Sequence, residues 1–192
     1  EVHIATQITT HYENLLDKGF HIHRLSYKRS KTLLSITKEM YSFLQIVKLY
    51  SSLKPDIVHL ISLKPALYGG LLSIFFKKPK IFLSITGTGF LFNSSGFFEK
   101  FIESLVIYLF SKIFKQKHVK AIFQNNENIN YFKERGVNFY SSPYLIGGSG
   151  VDLRKFVDSV EPSNRFTVMM ISRLLKDKGV YEFIEASKIL SS

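Results

Sequence analysis

Ser172, Arg173, Lys176, Lys178 and Gly179 follow directly on the apolar run Phe166–Ile171, and a helical pattern opens at Val180. A run of that type and length reads as a buried strand. A strand end that leads into a helix start is where open α/β sheets bind ligands. Helix N-termini present free N–H groups and a dipole favourable to anions. A guanidinium at Arg173 can grip a phosphate through its planar fork, and an ammonium at Lys178 adds a point charge. The chemistry this spacing suggests is the holding of a phosphate. The competing reading is a solvated basic turn, which is common on a basic chain.

Other chemistries find less support. The loop Thr86-Gly87-Thr88-Gly89 follows an apolar run and has the start of a dinucleotide fingerprint. The third glycine of that fingerprint should fall at position 92, which is Phe92, and no acidic ribose partner follows at a suitable distance. Gly147-Gly148-Ser149-Gly150 lacks the Lys-Ser/Thr ending of a phosphate loop and reads as a flexible connection. His21 and His23 share one face of an alternating segment, but sequence shows no third ligand nearby, so a polar sheet edge is the simpler reading. His11, His59 and His118 are scattered and read as structural. Asp56 and His59 have no Ser or Glu arranged beside them to suggest a triad.

Composition narrows the classes. The chain has 192 residues, enough for one large or two small domains. Its 45% apolar content supports a packed core. There is no cysteine, which excludes disulfides, a thiol nucleophile and Cys-based zinc sites. Cysteine usage fits a cytoplasmic protein. The first residues, Glu1-Val2-His3-Ile4-Ala5, lack the marks of a signal peptide. A formal net charge of +11 favours polyanions: nucleotides, nucleic acid or an anionic membrane surface. Nucleic acid is disfavoured because no motif of that class is present. Residues 57–76 and 97–114 are apolar enough to need a membrane check. His59, Lys64, Pro65 and the Gly69-Gly70 pair break the first, and Glu99, Lys100, Glu103 and Lys112 interrupt the second, so neither reads as a span.

The elements that must position these groups alternate. Strands are predicted at 2–5, 20–25, 57–61, 81–85, 119–124, 144–146 and 166–171. Helices are predicted at 9–18, 33–53, 65–76, 97–117, 126–135 and from 180 onward. Strand–helix alternation implies a mostly parallel sheet covered by helices on both faces. The Pro162-containing stretch 157–165 is the linker candidate. The expected domains are therefore residues 1–156 and 166–192. The latter has one strand and one helix, too little to bury a core, so the chain is expected to be cut short at its C-terminal end.

The motif order resembles the family 4 glycosyltransferases, whose GT-B fold has two Rossmann-like domains. Lys54-Pro55-Asp56-Ile57-Val58-His59 is similar to the family's strand after the long helix. Ile85-Thr86-Gly87-Thr88-Gly89 resembles an interior loop of the subgroup acting on lipid-linked sugars. Ala121-Ile122-Phe123-Gln124-Asn125 resembles the last strand of the first domain. Gly148-Ser149-Gly150-Val151-Asp152, with Phe156, resembles the segment leading to the second domain. Residues 173–179 resemble the donor-phosphate signature.

The resemblance implies a fold: a Rossmann-like first domain on the acceptor side, then the first strand–helix unit of a second, nucleotide-sugar-binding domain. It also implies a reaction. A sugar passes from a nucleotide-diphosphate donor to a lipid-linked or glycan acceptor with retention, in bacterial surface polysaccharide or glycoprotein glycan assembly. Arg173, Lys178 and Gly179 would bind the donor diphosphate. Thr86, Gly87, Thr88 and Gly89 would line the acceptor or sugar cleft. Positioned cations and helix N–H groups can offset leaving-group charge without a metal. The absence of Asp-x-Asp agrees with a metal-independent, cofactor-free transfer. No catalytic base is named, because Gly87 stands where many members carry His. The family's opening Gly-rich loop and paired glutamates are not found, so the isolated chain is expected to be inactive or barely active. A non-catalytic module binding a membrane or a partner chain is the alternative. The basic end of the 97–117 helix would suit peripheral docking on the inner membrane face.

Overall fold

The computed structural model describes residues 1–7, 13–25, 34–87, 96–158, 166–174 and 178–191. The chain divides into two compact units, Glu1–Ser149 and Gly150–Ser192.

The first unit alternates strand and helix: β1 (His3–Thr6), α1 (Glu13–Leu16), β2 (His21–Arg24), α2 (Leu34–Leu53), β3 (Ile57–Ile61), α3 (Leu63–Leu72), β4 (Lys80–Ile85), α4 (Phe97–Phe114), β5 (Val119–Phe123), α5 (Asn126–Glu134) and β6 (Tyr144–Leu145). Among the described residues all pairings are parallel: a two-stranded sheet β1-β2 and a four-stranded sheet β3-β4-β5-β6. Parallel pairing follows from the helix lying between consecutive strands, since parallel strands need a crossover.

Local chemistry sets the boundaries. The turn after α1 closes at Gly19, whose φ of 79° suits glycine and whose N–H donates to the Leu16 carbonyl at 2.8 Å. Lys54 takes a left-handed φ of 44° and Pro55 follows, which ends α2. In α3 the paired glycines allow close approach. A Cβ on Gly69 would lie 2.5 Å from a Leu60 methyl, and one on Gly70 3.1 Å from Ile113. So α3 nests against β3 and α4 through bare backbone. It ends at Leu72, short of the expected Phe76; the chain tightens into turns, with Phe75 and Phe76 N–H groups both donating to the Leu72 carbonyl.

The core lies where β4 and β5 meet α4 and α5. Ile81, Leu83 and Ile85 alternate inward on β4, as Val119, Ala121 and Phe123 do on β5. Phe110, Phe114, Phe123, Phe132 and Phe139 form a continuous ring cluster, with neighbouring centroids 4.7–6.3 Å apart. Edge and tilted ring contacts of this kind add to the burial energy. Among the described residues no helix is long and apolar enough to cross a membrane.

In the second unit the helix arrives where the pattern places it, as α6 (Val180–Ser191). The strand expected at 166–171 does not form. Phe166, Val168, Met169 and Ile171 are 94%, 61%, 72% and 90% exposed. A strand exists only as part of a ladder, and no strand among the described residues pairs with this segment. An apolar run specifies a wish for burial, not the neighbour that supplies it.

Candidate functional site

In parallel sheets the loops that follow the carboxyl ends of the strands collect ligands. Here those loops follow β3, β4, β5 and β6. Thr86 and Gly87 follow β4, which has β3 and β5 as neighbours. Both are exposed, and a Cβ on Gly87 would meet nothing within 4 Å. The loop therefore presents open backbone. Thr88 and Gly89 lie outside the described residues.

The neighbouring loop carries a feature that sequence reading missed. Ser62, between β3 and α3, has φ 78° and ψ 162°, a conformation nearly confined to glycine. Its N–H donates to the Ser84 carbonyl at 2.9 Å and its carbonyl accepts from the Ala66 N–H at 3.0 Å. Its hydroxyl makes no capping bond to α3. Ser84 also meets His59 Nε2 through its Oγ at 2.7 Å. One residue of β4 thus ties down both the strand and the corner beside the Thr86-Gly87 loop. A serine between an apolar strand and Leu63-Lys64-Pro65 carries no sequence mark of positive φ.

On the far side of β4, Phe123 ends β5 and its carbonyl accepts from the Ile146 N–H at 2.8 Å, holding the Gly147-Gly148 loop. The Asn125 side chain accepts the Asn128 N–H at 2.9 Å and caps α5. The cap is therefore Asn125, one residue ahead of the first helical asparagine.

The basic turn belongs to the second unit. Arg173 and Lys178 are both exposed, and neither makes an ion pair among the described residues. Lys178 and Gly179 stand immediately before α6; Gly179 has φ 76° and its carbonyl accepts the Phe183 N–H at 2.9 Å. The free N–H groups of the first turn of α6 thus follow Lys178 directly. Leu175, Lys176 and Asp177 lie outside the described residues.

Away from these loops, Glu103 on α4 receives hydrogen bonds from the Tyr131 hydroxyl and from Arg135 Nε at 2.9 Å, and the Arg135 guanidinium stacks 3.7 Å over the Tyr131 ring. The Tyr131 bond chiefly, helped by Arg135, holds the Glu103 carboxyl below its ordinary range, against the opposing effect of burial. Burial first, and Glu103 second, push the Tyr131 phenol up. This cluster links α4 to α5. Its members lie 28 and 32 residues apart, beyond any local pattern.

The histidine pair also gains neighbours. Register sets His3 opposite His21, with ring centroids 4.6 Å apart, and His3 Nδ1 lies 2.9 Å from His23 Nε2. Burial, then His3 and His21, lower the His23 pKa.

A family model described as glycosyl transferase 4-like matches residues 1–125. The chain belongs to that family. It is also 24% identical to the N,N'-diacetylbacillosaminyl-diphospho-undecaprenol alpha-1,3-N-acetylgalactosaminyltransferase of Campylobacter jejuni, over 99% of this chain and 53% of the relative. The chain thus spans about half the length of that curated relative. Membership in the glycosyl transferase 4-like family agrees with the resemblance drawn from motif order. The parallel α/β architecture agrees with the Rossmann-like domain expected for it. The match takes in β1 to β5 and ends at the cap of α5.

Proposed function

We propose that this glycosyl transferase 4-like chain serves in sugar transfer from a nucleotide-diphosphate donor to a lipid-linked glycan acceptor, with retention at the anomeric carbon. The observation that carries this reading is the family match over the unit whose strand-end loops are described above. Thr86 and Gly87, with Thr88 and Gly89 beyond them, serve the acceptor or transferred sugar, since open backbone lets a hydroxylated ligand approach closely. Arg173, Lys178 and the amino end of α6 hold the donor diphosphate, where they offset charge on the leaving group without a metal ion. The C. jejuni relative is named for a diphospho-undecaprenol substrate, which supports a lipid-linked acceptor in bacterial glycan assembly.

A lipid acceptor calls for a membrane surface, and α4 offers one. Its inner face buries Ile107, Phe110, Ile113 and Phe114. Its outer stripe, Phe97, Phe101, Leu105 and Tyr108, is 91%, 61%, 46% and 55% exposed, with Lys112 beside Tyr108 and Lys115 just beyond. Apolar side chains with flanking cations suit peripheral docking on an anionic leaflet at the cytoplasmic face.

The test is transfer of labelled sugar from a panel of nucleotide-diphosphate sugars to an undecaprenyl-diphosphate-linked acceptor. It compares the isolated chain with the chain fused to the C-terminal half of the C. jejuni relative. We expect little or no product from the isolated chain and product of retained configuration from the fusion, lost on Arg173→Ala. A folded fusion that transfers no sugar from any donor contradicts the proposal.

A further inference from the structure

We propose that Glu1, His3 and His21 form a binding site for a divalent transition-metal ion of the zinc class, with His23 orienting His3. Nothing in the sugar-transfer reading calls for it. The site lies at the amino-terminal ends of β1 and β2, whereas the Thr86-Gly87 loop assigned to transfer follows the carboxyl end of β4.

In the parallel ladder His3 pairs with His21, so both imidazoles stand on the same face, and His23 joins them two residues along. The His3 and His21 rings lie nearly parallel, 19° apart with centroids at 4.6 Å, and His23 stacks on His3 at 5.2 Å. Ligand atoms of Glu1, His3 and His21 all lie within 4.8 Å of one another. Bonds of about 2.0–2.2 Å from nitrogen and oxygen to a tetrahedral zinc set ligand atoms about 3.5 Å apart. Small side-chain rotations close that gap, because Glu1 is exposed and His21 lies at the strand's exposed end.

Hydrogen bonding distinguishes the two nitrogens of His3. Nδ1 is engaged with His23 Nε2 at 2.9 Å, which leaves Nε2, 3.6 Å from Glu1 Oε2, to face the ion. Metal-binding histidines are oriented in this way, by a partner on the other ring nitrogen. Two imidazoles and one carboxylate match the His₂Glu donor set that zinc accepts, with a fourth position left for water. An ion there would clamp β1 to β2, a two-stranded ladder with little independent stability. Metal binding to the folded form then raises its stability.

The experiment titrates the full chain, free of any histidine tag and carrying a short non-chelating N-terminal extension, with Zn(II) by calorimetry and with Co(II) by absorption. We expect one equivalent to bind, with intense tetrahedral Co(II) bands and a rise in melting temperature on Zn(II). His3→Ala and His21→Ala should each abolish saturable binding, and His23→Ala should weaken it about tenfold or more, the range for loss of an orienting partner. His59→Ala and His118→Ala should bind as the wild type does. Substoichiometric Co(II) on the unaltered chain should broaden the ring resonances of His3 and His21 and spare those of His59 and His118, a readout independent of variant folding. Absence of saturation at one equivalent overturns the proposal. So does binding that needs His3 but survives His21→Ala, and so does uniform broadening of all histidines.

Discussion

Replacing Ser62 with glycine should stabilise the protein, although glycine is ordinarily a poor choice at the start of a helix. Ser62 holds φ 78° and ψ 162°, where a Cβ is strongly disfavoured. Such a conformation costs about 1–3 kcal/mol in a non-glycine residue. Glycine removes that strain and gives back about 0.5–1 kcal/mol through greater freedom of the unfolded chain. A serine at this position usually contributes about 1 kcal/mol through its capping hydroxyl. Here the hydroxyl makes no capping bond, so that contribution is not lost. The net gain for Ser62→Gly is about 0.5–2 kcal/mol. Ser62→Ala keeps the Cβ and the strain, so its stability should stay near that of the wild type. With a urea m-value of about 2 kcal/mol per molar, the glycine variant should unfold at a midpoint about 0.2–1 M higher. Urea titration followed by circular dichroism, at unchanged m-value, is the assay. A Ser62→Gly midpoint below that of Ser62→Ala would refute the reasoning, because it would show that no strain is stored at the β3–α3 corner.

Three further outcomes follow from the packing and charge already described. Phe132 is fully buried amid Phe110, Phe114 and Phe123, so Phe132→Ala should cost about 3–5 kcal/mol in urea unfolding; a loss below about 1 kcal/mol contradicts the ring cluster as the centre of the core. Tyr131→Phe removes a hydrogen bond to the Glu103 carboxylate and should destabilise by about 1.5–3 kcal/mol at neutral pH. Because the folded Glu103 pKa is depressed, its contribution is present above the ordinary carboxylate range and is lost as pH falls through the lower folded value. The gap between wild type and Tyr131→Phe should therefore narrow in acid, and a gap independent of pH opposes the assignment. Phosphatidylglycerol vesicles should sediment the protein more than phosphatidylcholine vesicles do, less so in high salt and less again with Phe97→Ser and Phe101→Ser; equal sedimentation with both lipids removes the electrostatic part of the docking proposal.

Sequence made the alternation of strands and helices legible because each element of the first unit carries its own period. Ile81, Leu83 and Ile85 alternate, α2 keeps a helical spacing, and Gly19 and Pro55 mark ends. What failed at 166–171 was a question of partners. The apolar run is plain, yet strand formation depends on a neighbour that no local signal names. The site shows the same division. Thr86 and Gly87 could be singled out because the loop after β4 resembles an interior loop of family 4 glycosyltransferases. Ser62 could not, since its strain arises where the Ser84 carbonyl fixes the strand end and α3 begins at once. The third histidine was likewise hidden, because only the register of two strands, 18 residues apart in the His3–His21 pairing, brings His3 into place. The outer stripe of α4 fell between these cases. Its apolar width was evident, but which side faced the core depended on where β5 and α5 lay.

The proposed transfer depends on Arg173 and Lys178 acting together on a donor diphosphate, and diphosphate binding reports on that pair. Uridine and guanosine diphosphate would be titrated into the chain and followed by phosphorus NMR. Three proteins would be compared: wild type, Arg173→Ala with Lys178→Ala, and Lys112→Ala with Lys115→Ala, which removes the same charge elsewhere. Saturable shifts of the diphosphate signals are expected, vanishing in the first double variant and persisting in the second. Equal weakening in both double variants would contradict the proposal, because the diphosphate would then be sensing only the overall positive charge of the protein.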